Sequence, residues 1–122
     1  MFDYRVISVD KVVDGDTVDV TLDLGFYIYK RERIRVLGID TSELTSRDPV
    51  LRERAIQGRE FARKWFSADL SQYELRVQTI KDKSDKYGRI LGDFRYVGYS
   101  PMELGSSYSE AILKSGLADP YS

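Results

Sequence analysis

The chain has 122 residues, a formal net charge of −1, and 42% hydrophobic and 32% charged residues, a balance that fits one soluble globular domain and argues against a disordered or membrane-spanning chain. No run approaches the ~20 apolar residues that a spanning helix needs. Histidine and cysteine are both absent, which excludes zinc held by imidazole or thiolate, histidine acid–base pairs and cysteine nucleophiles.

From the N-terminus, residues 4 to 13 are rich in Val and Ile and run into Asp14-Gly15-Asp16. Residues 17 to 23 then alternate, with Val18, Val20 and Leu22 on one face and Thr17, Asp19, Thr21 and Asp23 on the other. This pattern predicts a hairpin closed by a tight turn at Asp-Gly-Asp. Gly25 marks the next turn, and residues 26 to 39 read as one long strand with Arg31, Arg33 and Arg35 on one face.

Asp48-Pro49 then offers a side-chain cap followed by a proline at the first helical position. Leu51, Ala55, Gly58, Ala62 and Trp65 recur at helical spacing, predicting an amphipathic helix to about Ala68, with Trp65 and Phe61 in the core and a Glu60–Lys64 pair outside. Residues 73 to 81 and 90 to 97 read as two more strands joined by a polar, turn-like stretch. Residues 97 to 109 read as a loop, and a short helix follows from a Ser109 cap to a Gly116 stop. The order strand, strand, strand, helix, strand, strand, helix predicts an α+β, mainly β fold: a five-stranded oligonucleotide/oligosaccharide-binding (OB) barrel with flanking helices, in a single domain spanning residues 1–122.

Three segments carry chemistry. Asp14-Gly15-Asp16-Thr17, Arg35 with Asp40-Thr41-Ser42-Glu43, and Asp85-Lys86-Tyr87-Gly88-Arg89 place acids and arginines at the ends of strand-like runs. Without histidine or cysteine, cutting a phosphate ester falls to a hard cation on oxygen ligands, a carboxylate base and guanidinium groups that neutralise developing charge. The 12 arginines against seven lysines favour planar, bidentate phosphate recognition. The acidic balance runs against holding a polyanion unless a bound cation reverses the local sign.

These three segments in this order resemble the staphylococcal nuclease (thermonuclease) family over residues 4 to 118, with Ser109 to Leu113 and Gly116-Leu117-Ala118 resembling its late helix. The resemblance implies a Ca²⁺-dependent endonuclease, a phosphodiesterase hydrolysing DNA, with RNA as a further substrate, to 3′-phosphorylated products. It implies that the Asp16 and Asp40 carboxylates and the Thr41 carbonyl hold Ca²⁺, that Glu43 activates the attacking water, and that Arg35 and Arg89 grip the phosphate. Lys86 and Tyr87 would contact the substrate.

Two features depart from the family's pattern. Ser42 stands where a proline is usual, removing a restraint on φ just before Glu43, and the family commonly continues into another helix where this chain reaches Ser122. Tyr108 and Tyr121 are further candidates for stacking on a base. The alternative function is a non-catalytic OB-fold module binding nucleic acid or protein, as arises when such a fold loses its acids. No secretory pattern is visible at the N-terminus, which points to a cytoplasmic protein or to one whose leader has been removed; a monomer with no membrane association is expected.

Overall fold

A computed structural model describes residues 2–84, 89–98 and 107–121, with the side chains of 81–84 left aside. Its elements are β1 (Phe2–Asp14), β2 (Thr17–Asp23), β3 (Tyr29–Val36), β4 (Ile39–Thr41), α1 (Pro49–Trp65), β5 (Leu75–Ser84), β6 (Ile90–Tyr96), α2 (Tyr108–Ser115) and β7 (Ala118–Pro120). Five strands close a barrel in the order β1-β2-β3-β6-β5, with β5 returning to β1. The pairing of β3 with β6 is parallel, Ile34 opposite Ile90, and the other barrel pairings are antiparallel. The expected OB barrel with flanking helices is what forms.

The alternation of β2 becomes burial directly: Val18, Val20 and Leu22 line the barrel interior with Ile34, Val36, Leu75, Val77 and Phe94. Helix α1 begins where the sequence says, with Asp48 accepting from the Val50 N–H at 2.9 Å. Its Ala62 and Trp65 face the core, and Trp65 packs edge-on against Phe66 and Tyr108. Leu51, placed by periodicity on the buried face, is exposed, and the buried face of α1 begins at Ala55.

Several boundaries differ from the sequence reading. The helix ends at Trp65 rather than near Ala68, since Phe66 leaves the helical path and drops into the core. Glu60 pairs with Arg63 at 2.6 Å rather than with Lys64. The single strand expected over residues 26 to 39 is divided: Phe26 and Tyr27 form the turn before β3, and Gly38, at φ +80°, redirects the chain into β4. There β4 pairs with β7, Asp40 opposite Asp119, in a small separate sheet that periodicity over three residues cannot signal. Strand β5 continues to Ser84, through residues read as polar turn.

The cap of α2 is Ser107, which accepts from the Glu110 N–H at 3.2 Å. Ser109, the expected cap, instead gives both its hydroxyl and its N–H to the Asp93 carboxylate on β6. Gly116 ends the helix at φ +80°, as expected. Burial raises the Asp93 carboxyl above its ordinary range, against the lowering by its Ser109 bonds. A carboxyl that binds its proton more tightly when folded loses stability as pH rises above its unfolded value. Asp93→Asn, which cannot ionise, should therefore gain on the parent chain as pH rises above the ordinary carboxylate value of 3.8, measured by urea denaturation; a constant difference between the two proteins would show Asp93 ionised at no cost.

Candidate functional site

The turn between β1 and β2 builds the centre of the site. The Asp14 carboxylate accepts the Asp16 N–H at 3.1 Å, closing Asp14-Gly15-Asp16 on itself. A Cβ on Gly15 would lie 2.8 Å from the Thr41 methyl and 3.3 Å from the Gly58 backbone of α1, so only glycine lets this turn press against both. From the other side, the buried Tyr108 hydroxyl of α2 donates to the Gly15 carbonyl. The turn is thus pinned between two helices and β4.

Asp16 is nearly buried and its two oxygens are divided between partners. Oδ1 accepts from the Thr17 hydroxyl at 3.1 Å, and Oδ2 accepts from the Thr41 N–H at 3.2 Å and lies 3.5 Å from Arg35 Nη2. The same Nη2 lies 3.5 Å from Asp40 Oδ1, while Nη1 donates to the Val36 and Ile39 carbonyls at 2.7 and 3.0 Å. Pairing of β2 with β3 sets Thr17 opposite Arg35. Arg89, just ahead of β6, reaches the Thr17 hydroxyl with Nη1 at 3.4 Å. Arg89, Thr17, Asp16, Arg35 and Asp40 therefore form one connected set, drawn from four strand ends.

Charge at the centre is unbalanced. Burial pushes the Asp14 carboxyl up to about 7, reinforced by its hydrogen bond with, and the like charge of, Asp16. Burial also acts to raise Asp16, but the bond from Asp14, the Arg35 charge and the Thr41 N–H together hold it below the ordinary carboxylate range. Asp16 is thus the ionised member and Asp14 takes the proton. Among the described residues no three Asp or Glu side chains converge as a ready-made metal cage. Asp16 and Asp40 do meet at one cationic nitrogen, so positive charge is accommodated between them, and every donor there is a hard oxygen.

Glu43 stands two residues beyond Thr41 at the start of a turn closed by the Ser46 N–H on the Glu43 carbonyl at 3.1 Å. It is exposed, and its carboxylate has no partner among the described residues. The structure thus brings Asp16, Asp40, Thr41, Arg35 and Arg89 together and leaves Glu43 on the adjoining rim. Lys86 and Tyr87 lie outside the described residues. Tyr108 cannot stack on a base, because it is buried among Trp65, Phe66 and Phe61. Tyr121 is exposed with its ring 5.8 Å from the Arg35 guanidinium carbon.

The sequence gives Asp14 no role of its own, although two aspartates flanking a glycine in a turn are a signal. It gives no sign of Arg54, and it offers Tyr108 as a stacking face rather than as the buried donor to the Gly15 carbonyl. Arg54 bonds both Asp119 oxygens at 3.1 and 3.2 Å and the Gly116 carbonyl at 2.9 Å, tying α1 to β7 and through it to β4. Nothing local in the sequence joins residues 65 positions apart.

An OB barrel with two carboxylates and two arginines clustered at the end of its first hairpin defines a class of small barrels equipped for phosphate chemistry. The description of the staphylococcal nuclease homologue family matches residues 33–122, and the chain belongs to that family. It is similar to an uncharacterized protein, MJ1439, of Methanocaldococcus jannaschii, 30% identical over 93% of this chain and 58% of that one. It is also similar to the SPbeta prophage-derived endonuclease YokF of Bacillus subtilis, 33% identical over 92% of this chain and 33% of the relative. With the thermonuclease of Staphylococcus intermedius the identity is 29%, over 68% and 44% of the respective chains. The chain thus spans less than two thirds of the length of these relatives.

Tyr108→Phe leaves the ring packing and removes the donor to the Gly15 carbonyl. Leaving a buried acceptor unsatisfied should cost about 1–3 kcal/mol, measured by urea denaturation. An unchanged midpoint would mean that the Asp14–Asp16 turn does not depend on α2.

Proposed function

We propose that this chain is a Ca²⁺-dependent phosphodiesterase domain that hydrolyses DNA, and RNA as a further substrate, to 3′-phosphorylated products. The observation that carries this reading is the meeting of Asp16 and Asp40 at one guanidinium nitrogen of Arg35, with Arg89 joined to the same set through Thr17. A non-catalytic barrel has no need to concentrate two acids and two arginines at one end of the barrel, where Asp16 and Arg35 are covered and costly to desolvate. Family membership and the endonuclease and thermonuclease names of two relatives support the nuclease class.

The residues that would hold Ca²⁺ are Asp16 and Asp40 through carboxylate and Thr41 through its carbonyl, with water and phosphate oxygens completing a shell of six to eight. When bound, the ion supplies positive charge beside the phosphate. Arg35 is fixed by two backbone carbonyls on Nη1, which aims Nη2 at the place where the acids meet. Arg89 approaches from the neighbouring strand β6. Two guanidinium groups from different strands suit the extra negative charge of a five-coordinate phosphorus, since each stays charged and can bond two oxygens. Glu43, exposed three residues beyond Asp40, would take the proton of the attacking water, with the 5′ oxygen leaving.

Glu43→Gln should keep the fold and slow hydrolysis by roughly 10² to 10⁴, the usual worth of a positioned general base, measured as turnover on single-stranded DNA with Ca²⁺. Near-parental turnover would remove Glu43 from the mechanism. Arg35→Lys and Arg89→Lys should each lose about 10²-fold or more, because a lysine cannot form the bidentate fork. Arg35→Lys should also lower stability, since the Val36 and Ile39 carbonyls lose their donor; full activity in both lysine variants would rule out the phosphate clamp.

Charge arithmetic makes a further expectation for the same site. Asp16, Asp40 and Glu43 repel a phosphate, and a divalent cation cancels two of their three charges. Ca²⁺ and a nucleotide carrying 3′ and 5′ phosphates should then each tighten the other by the same factor, as linkage requires. Calorimetric titration of Glu43→Gln with nucleotide, with and without Ca²⁺, reads this directly, and equal affinities would place the ion away from the phosphate.

A further inference from the structure

The turn between β2 and β3 carries two fully exposed rings. Phe26 and Tyr27 are 95% and 93% exposed, side by side at the tip, both with left-handed backbone at φ +55° and +60°. The turn is held by Ile28 N–H to the Gly25 carbonyl and Leu24 N–H to the Ile28 carbonyl, both 2.9 Å, and by Gly25 N–H to Asp23 at 2.8 Å. Asn-Gly would occupy such a hairpin turn with less strain. Two large rings in strained backbone, contributing nothing to the core, ask for an occupant.

The surface leading from this tip indicates which. Outward residues of β3 at period two are Tyr29, Arg31, Arg33 and Arg35, so one row of side chains connects the tip to the site. Arg31 and Arg33 are 62% and 49% exposed, whereas Asp19, which both of them pair with, is only 7% exposed at its side chain. The acid lies sunk beneath the two guanidinium groups, and an approaching molecule meets cations first. Arg5 stands above Asp23 in the same way, the arginine more exposed than its partner. Along this row the guanidinium groups of Arg31 and Arg33 stand more exposed than the acids they pair with, Asp19 and, for Arg31, Asp10 as well.

We infer that the outer row of β3 and the Phe26–Tyr27 tip form a platform for single-stranded nucleic acid extending from the site, with phosphates over Arg33 and Arg31 and bases stacked on Tyr29, Tyr27 and Phe26. This rests on the nuclease reading for the identity of what enters the site. Six residue steps along β3 take the chain from Tyr29 to Arg35, about 20 Å at the usual rise per residue, so the platform acts on an extended strand and not on a mononucleotide. Base-paired bases present no free faces to the rings, which selects an unpaired strand.

Phe26→Asn with Tyr27→Gly removes both rings and installs residues that the turn accepts, so the fold is preserved. In a Glu43→Gln background with Ca²⁺, anisotropy of a labelled oligothymidylate of about 12 nucleotides, within the usual site sizes of such barrels, should show binding weakened about ten- to a hundredfold. Affinity for thymidine 3′,5′-bisphosphate should stay the same. Arg31→Gln with Arg33→Gln should lower the slope of log affinity against log salt by about 0.7 for each arginine.

Unchanged oligonucleotide affinity overturns the platform. An equal loss for oligonucleotide and bisphosphate also overturns it, because the tip would then be shaping the site. Loss of binding to phosphatidylserine vesicles with no loss on the oligonucleotide assigns the rings to a membrane surface instead. If the parent chain hydrolyses no nucleic acid yet its oligonucleotide binding depends on the rings, the platform stands and the nuclease reading falls.

Discussion

The position of one guanidinium group organises this end of the molecule. Arg35 leaves β3 almost fully covered, donates to the carbonyls on both sides of the Gly38 turn, and presents its second nitrogen to Asp16 and Asp40. Without that charge, the nearly buried Asp16 would stand ionised beside Asp14 with its closest cation gone, a costly arrangement in a poorly solvated place. The residue that would neutralise a phosphate is therefore also the one that lets the acids stand together, and the turn that aims it is the turn it holds.

The rest of the fold serves to keep that arrangement from relaxing. The barrel fixes Thr17 opposite Arg35 and Ile34 opposite Ile90, which sets Arg89 beside the site by strand register alone. Strand β4, which carries Asp40 and Thr41, lies outside the barrel and is held by β7, by the buried Ile39 and by the Thr41 N–H on Asp16. Arg54 anchors β7 to α1, and Tyr108 anchors the Asp14–Asp16 turn to α2. Each acid is thus supported by a helix packed against its turn or strand, so that the site is held by packed elements rather than by the loops themselves.

Placement of charge also resolves the conflict between composition and function. A formal charge of −1 describes the sum over the chain, but along β3 the fold sinks Asp19 while Arg31 and Arg33 reach further out, since long side chains extend beyond the backbone surface on which short aspartates stay low. At the site the order is the reverse, with Arg35 covered and Asp40 exposed.

The sequence alone determined the parts that depend on near neighbours. Alternation in residues 17 to 23 defined which face of β2 is buried, Asp48-Pro49 defined the start of α1, and Gly116 its counterpart at the end of α2, because cap and period are set within a few residues. The three motifs made the site set legible, and the structure brings together five of its members, leaving Glu43 on the rim. What tertiary structure decided were the contacts that cross the chain: the division of residues 26 to 39 into β3 and β4, the β4–β7 sheet, the Ser107 cap with Ser109 turned to Asp93, and the burial of Tyr108. Each follows from packing between segments far apart in sequence, where local propensity is a weak guide and the partner that wins is chosen by the core.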